Sequence, residues 1–167
     1  MARESVEIEG LGAILRRLQA FPKEMSARGG PVRAGVRKGA VVIQKAMQAN
    51  VQQIIATPNI GGNDYSTGLL QKSIKPVRAK APKQYKGETF FVMIPRRARY
   101  PVTEKTPTGI GVKTVGAMLE YGTSKRKLMP WARPAFHAKK QEAVSVMIAE
   151  TEKGISKIEK KLAATVR

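Results

Sequence analysis

The sequence predicts an α+β protein: a small antiparallel sheet packed by amphipathic helices, with long loops or arms and a long C-terminal helix. Three observations lead there. Apolar residues recur at helical spacing towards both ends of the chain. An aromatic and β-branched run interrupts them in the middle. Clusters of Pro, Gly, Asn and Asp separate the periodic segments.

Taken in order, Leu11, Ile14, Leu15 and Leu18 stand at i, i+3, i+4 and i+7, which predicts a helix over 8–20 ended by Pro22. The alternating Glu7-Ile8-Glu9 before it is a candidate short strand. A second helix is predicted from Pro31 to Ile55, with Pro31 suited to its first turn. Val32, Val36, Ile43, Met47 and Ile54 would face inwards, and Ala40 and Ala46 would allow close packing. Gly35 and Gly39 oppose this helix by about 1 kcal/mol each relative to alanine. Residues 56–67 read as an exposed loop, and Ser66 or Thr67 as the cap of a short helical turn through Leu69, Leu70 and Ile74. Two strands follow, one over 73–80 and one over 87–95 around Phe90-Phe91-Val92-Met93-Ile94, joined by a hairpin connection over 82–87. Residues 95–111 hold three prolines and two glycines and predict an extended arm or long loop. Residues 112–121 fit a short apolar helix or strand, followed by a basic turn. Pro134 then opens a terminal helix over 134–165, which Gly154 is expected to divide.

The length of 167 residues suits one domain spanning 1–167. Hydrophobic residues make up 42 %, enough for a buried core, but aromatics are only 5 %, so aliphatic side chains and seven methionines must fill it. No apolar run approaches the roughly 18 residues of a membrane span, so no membrane contact is expected. The opening Met1-Ala2-Arg3-Glu4 has no apolar stretch behind its charges, so no secretory signal is expected either. Cysteine is absent, which removes disulfides and thiolate metal sites.

Charge is the most unusual property. Thirty-one Lys and Arg against twelve Asp and Glu give a formal +19. Self-repulsion of that size calls for a neutralising neighbour, either nucleic acid or an acidic protein surface, unless the basic face is simply solvated. The stretch 72–105 holds ten basic residues against Glu88 and Glu104 alone. Tyr85, Phe90, Phe91 and Tyr100 interleave with them, as on nucleic-acid surfaces with stacking platforms. Adjacent strand residues face opposite ways, however, so Phe90 and Phe91 cannot form one platform. Arg96, Arg97 and Arg99, with the turn Lys125, Arg126 and Lys127, are the candidate contact residues for DNA or for a neighbouring protein.

Catalysis is poorly served. His137 is the one histidine, and it reads as an ordinary packed or surface residue. The carboxylates are dispersed, and no pair has the setting of general acid–base work. Gly61-Gly62 and Gly109-Ile110-Gly111 lack the partners that make a phosphate or dinucleotide loop, so turns account for both. No catalytic residue, cofactor site or metal site is expected, and the chain is read as a non-enzyme.

Three segments together resemble the tail-completion (neck, head–tail joining) protein family of long-tailed bacteriophages. The first is Val6-Glu7-Ile8-Glu9-Gly10-Leu11 ahead of an amphipathic helix. The second, Thr67-Gly68-Leu69-Leu70-Gln71-Lys72-Ser73-Ile74, is similar to the family's T-G-x-L-x-x-S-I step, through Thr67, Gly68, Leu70, Ser73 and Ile74. The third is the most specific. Glu120-Tyr121-Gly122-Thr123, then Pro130-Trp131-Ala132-Arg133-Pro134-Ala135, resembles the block E-[FY]-G-T … P-[FW]-x-R-P-A. Residues 78–111 and the tail past Ile148 lie outside the likeness.

The resemblance implies a structural virion protein, assembled in the host bacterial cytoplasm, that forms a homo-oligomeric ring at the neck. The ring would be hexameric to match a tail tube, or dodecameric at the connector. Its neighbours would be connector or head-closure proteins on one side and tail terminator or tail-tube proteins on the other, with genomic DNA passing through the axis. Some of the positive charge would then face DNA or an adjoining acidic ring. The residues of the third block fit a structural role: Gly122 ends one element, Trp131 anchors the turn, and Pro134 presets a helix. The alternative class is a free basic nucleic-acid-binding protein or a transient assembly factor. A simple DNA binder has no reason to carry the block 120–135.

Overall fold

A computed structural model of the chain describes residues 30–56, 67–80, 87–102, 104, 108–124 and 127–165, with side chains up to Lys160. The protein is α+β: four helices and one two-stranded antiparallel sheet among the described residues. The expected helix over 8–20, its preceding strand, most of the loop 56–67 and the hairpin connection lie outside them.

Helix α1 runs Gly30–Ala56 and helix α4 runs Ala132–Thr165. Their pairing organises the fold. In α1 the buried residues are Pro31, Gly35, Gly39, Ile43, Met47 and Val51, an unbroken row at i+4 spacing. This corrects the expected inner face, of which only Ile43 and Met47 are fully buried. Val32, Val36 and Ile54 are half-buried beside the row. Gly35 and Gly39 occupy the row because α4 passes directly over them. A Cβ on Gly35 would lie 2.6 Å from the Met147 carbonyl oxygen, and one on Gly39 would lie 2.9 Å from that of Ala143. Neither a backbone oxygen nor its helix can move aside cheaply, so glycine is required for the close approach. The residues that looked like local weaknesses of α1 are its main packing surface against α4, while Ala46 packs against the buried cluster.

On α4 the buried residues Ala135, Ala143, Thr151 and Ile155 form the answering row. Thr151 satisfies its hydroxyl internally, donating to the Met147 carbonyl at 2.7 Å. Gly154 packs against Pro31 at one end, while Asn50 Nδ2 donates to the Trp131 carbonyl (3.0 Å) at the other, so the two helices run antiparallel. Contrary to the expectation from sequence, Gly154 does not divide α4; it lies under Pro31 and the helix continues.

Between them, α2 (Leu69–Ser73) leads into β1 (Lys75–Arg78), which pairs with β2 (Phe90–Met93). The register sets Lys75 against Met93, Val77 against Phe91 and Arg78 against Phe90. Two amides of α1 hold this unit in place: Gln44 Nε2 donates to the Ile74 carbonyl (2.8 Å) and Gln48 Nε2 to that of Gln71 (3.1 Å). Pro76, Phe90 and Val92 share the half-buried face, while Lys75, Val77, Phe91 and Met93 share an exposed one. At the open end, Arg78 donates twice to Glu88, at 2.7 and 2.5 Å.

The expected loop over 95–111 is partly ordered by pairing with itself. Tyr100 N donates to the Ile110 carbonyl and Val112 N to that of Ala98, both at 2.9 Å, around an antiparallel bridge between Arg99 and Gly111. These limbs deliver the chain to helix α3 (Val112–Tyr121), which settles the choice between helix and strand left open by the sequence. Ile43, Met47, Val51, Leu70, Ile74, Ile94, Val112, Trp131, Ala135 and Ala143 form one buried cluster. No helix among the described residues is long and apolar enough to cross a membrane.

Gly35→Ala should test the close approach. Alanine is the better helix former by about 1 kcal/mol, yet overpacking costs about 1–3 kcal/mol. The variant is therefore expected to unfold at lower urea concentration with an unchanged m-value. A raised midpoint would mean that α1 and α4 are not in backbone contact.

Candidate functional site

The block that carries the family resemblance most specifically is one joint between α3 and α4. Helix α3 ends at Gly122, whose φ of 74° lies in the left-handed region that glycine adopts without penalty. The chain then loops back, and Met129 N donates to the Leu119 carbonyl (2.8 Å) to bring 129–131 alongside the end of α3. Trp131 is 7 % exposed and donates its indole Nε1–H to the Gly116 carbonyl at 2.9 Å. Its ring therefore anchors the start of α4 into the core with its polar atom satisfied.

Glu120 completes the joint. It is 4 % exposed. Its Oε2 accepts from the backbone N–H of Trp131 (2.7 Å) and Ala132 (2.8 Å). Its Oε1 accepts from the Arg133 N–H (3.1 Å) and from Arg133 Nε (3.0 Å). The first N–H groups of a helix have no partner within the helix. A single carboxylate from another helix here satisfies three successive ones and adds a favourable charge at the positive end of the helix dipole. Arg133 closes the arrangement: its Nη2 donates to the Glu120 carbonyl (3.3 Å), and its guanidinium stands 5.1 Å from the Tyr121 ring centre.

This cap explains where α4 begins. The helix starts at Ala132, two residues earlier than the expected start at Pro134, because Glu120 receives the N–H groups of 131–133. Pro134 then falls in the first turn, where its missing N–H leaves no hydrogen bond unmade. Burial on its own would raise the Glu120 pKa. The N–H groups of Ala132, Trp131 and Arg133 and the Arg133 guanidinium more than offset it, so the carboxyl is held below its ordinary value.

The other resembling segment is also a packing step. Thr67 Oγ1 accepts from Leu69 N (3.3 Å), and Gly68 supplies a φ of 64° at the start of α2. Leu70, Ser73 and Ile74 are buried. Thus Leu70 and Ile74 join Trp131 and Ala135 in one core cluster, whereas Tyr121, Thr123, Pro130, Arg133 and Pro134 remain at the surface. Of the candidate basic residues, Arg96, Arg97 and Lys127 are exposed, and Arg99 is exposed with Nη1 donating to the Thr108 carbonyl (3.1 Å). Lys125 and Arg126 lie outside the described residues. His137 is exposed beside the Phe136 ring.

Sequence reasoning missed the amides Gln44 and Gln48, whose signal is two polar residues one turn apart on an apolar helix, and Asn50, which stands on another side of it. It also missed two groups of exposed apolar side chains. Val77, Phe91 and Met93 make up most of the outer sheet face, and Met118, Tyr121, Leu128, Met129 and Phe136 belong to the joint and its flanks. Among the described residues, no three His, Asp or Glu side chains come together in a metal-binding arrangement. Comparison of the chain with family models, with curated proteins and with solved structures finds no match.

Glu120→Ala should cost about 2–4 kcal/mol, since it strips the cap from α4 and leaves buried donors unpaired. Glu120→Gln keeps an acceptor and should cost less. Because the folded carboxyl titrates below the unfolded one, its stabilisation is complete above the ordinary glutamate range and is lost as pH falls through the lowered value. Urea midpoints of wild type and Glu120→Gln should therefore converge on acidification. A gap that stays constant down to strongly acidic pH would contradict this role for the charge.

Proposed function

We propose that the chain is a structural subunit of a tailed-phage neck, forming a homo-oligomeric ring at the head–tail interface that completes or joins the tail. The observation that carries this reading is the Glu120 joint. The residues of the most specific resembling block are spent on orienting two helices and not on holding a small molecule. A shape-defining subunit has a use for such a joint. The exposed apolar groups on the outer sheet face and around the joint supply material for contacts between ring neighbours. Heterologous contacts whose rotation closes generate such rings, hexameric or dodecameric. A charge of +19 suits a ring with DNA in its lumen or with acidic rings above and below.

Electron microscopy of phage particles made with and without the protein tests the proposal. Filled heads and tails that fail to join, or tails with altered ends, are expected without it. Supplying Glu120→Ala in place of the wild type should rescue joining poorly. Intact, infectious particles in its absence would sink the structural reading in favour of a free basic nucleic-acid binder or a transient assembly factor.

A further inference from the structure

The strongest unassigned feature lies on α1, on residues that belong to none of the resembling blocks. Arg33 and Arg37 stand one helical turn apart on its exposed side. Together with Gly30, Ala34 and the Phe90 ring they line an open cleft of about 290 Å³. Three features of this cleft matter. Ion pairs among the described residues involve Arg78, Arg133 and Lys139, so neither Arg33 nor Arg37 has a carboxylate partner there. The one basic residue directly opposite Phe90 in the sheet, Arg78, is already neutralised by the two-pronged bond to Glu88. Lastly, α1 has no acidic residue in 27 positions, while Lys38 and Lys45 carry exposed positive charge further along it.

We propose that the Arg33–Arg37 cleft is a phosphate-binding site for a nucleic-acid backbone. Two arginines whose backbone positions are about 6 Å apart along the helix axis can each present a planar fork to a phosphodiester, a geometry that lysine cannot reproduce. The half-buried Phe90 ring forms an apolar wall that lowers the local dielectric and strengthens those interactions. Lys38 and Lys45 stand roughly 100° round the helix from the arginine pair, and exposed positive charge on two sides of a helix without acidic residues suits a polymer of repeated negative charge better than a lone carboxylate. With both guanidiniums engaged by phosphates, no other polar side chain among the described residues of the lining is left to read base edges, so binding is blind to sequence. The site deepens the proposed function, from which it takes only the expectation that nucleic acid is a neighbour.

The test is a salt titration of the purified full-length chain against a short fluorescent DNA duplex of arbitrary sequence. Removing one cation from a phosphate flattens the plot of log K against log salt by about 0.9. Arg33→Gln/Arg37→Gln should therefore lower the slope by about two. The control Lys153→Gln/Lys157→Gln removes the same charge from exposed positions of α4 and should change it much less. Both pairs are exposed, and thermal melts of the variants are the check that each is folded. Equal reductions in the two variants, or an unchanged slope in the first, overturn the proposal. So does a wild-type chain that binds polyglutamate but not the duplex. The neck reading is judged separately by particle morphology, so either proposal can fail while the other stands.

Discussion

One carboxylate at the start of a long helix governs the arrangement of the rest. The Glu120 side chain is the N-terminal cap of α4, but it arrives from α3, eleven residues upstream of Trp131. A local cap residue would satisfy the same N–H groups without fixing anything else. A cap supplied by another helix satisfies them only when both elements are in place, so it couples helix formation to tertiary structure. Trp131 reinforces the coupling, because its indole is buried at the same point and bonded to the α3 backbone. Asn50 then ties the joint to the far end of α1.

From this end, α4 runs back along α1 to Gly154 and Pro31, and the glycine row sets how closely it lies. The joint fixes where α4 starts, and the row fixes its distance from its partner. Together they leave little freedom to the remaining elements. The sheet hangs from α1 by Gln44 and Gln48, with its half-buried face turned to the helix and its outer face uncovered. A two-stranded ribbon is marginal by itself, so its order depends on these amides and on the Phe90 and Val92 side chains beneath it.

The architecture is legible in the sequence where it follows from periodicity. The helices over 30–56 and 132–165 and the Phe90–Met93 strand follow from apolar spacing and β-branched composition. Sequence and structure part where a residue's use is set by a distant partner. Gly35, Gly39 and Gly154 count against a helix in local propensity and become assets only beside a second backbone. The capping role of Glu120 is not visible in the sequence because its partners are backbone N–H groups, which no sequence displays. The start of α4 is displaced for the same reason. Within the block 120–135, Gly122, Trp131 and Pro134 take the structural roles that their chemistry suggests. The Arg33–Arg37 cleft cannot be read in advance, because Phe90 reaches α1 only through the sheet.

The uninterrupted basic character of α1 has a consequence for how the chain meets its surroundings. Arg33, Arg37, Lys38 and Lys45 are exposed, and no acidic residue of the helix offsets them. The attraction of this surface for an anionic neighbour is therefore one between solvent-exposed charges. Ionic strength is the variable that controls it, because screening weakens every exposed interaction together. Any anion that meets this face is therefore held less firmly as the salt around it rises.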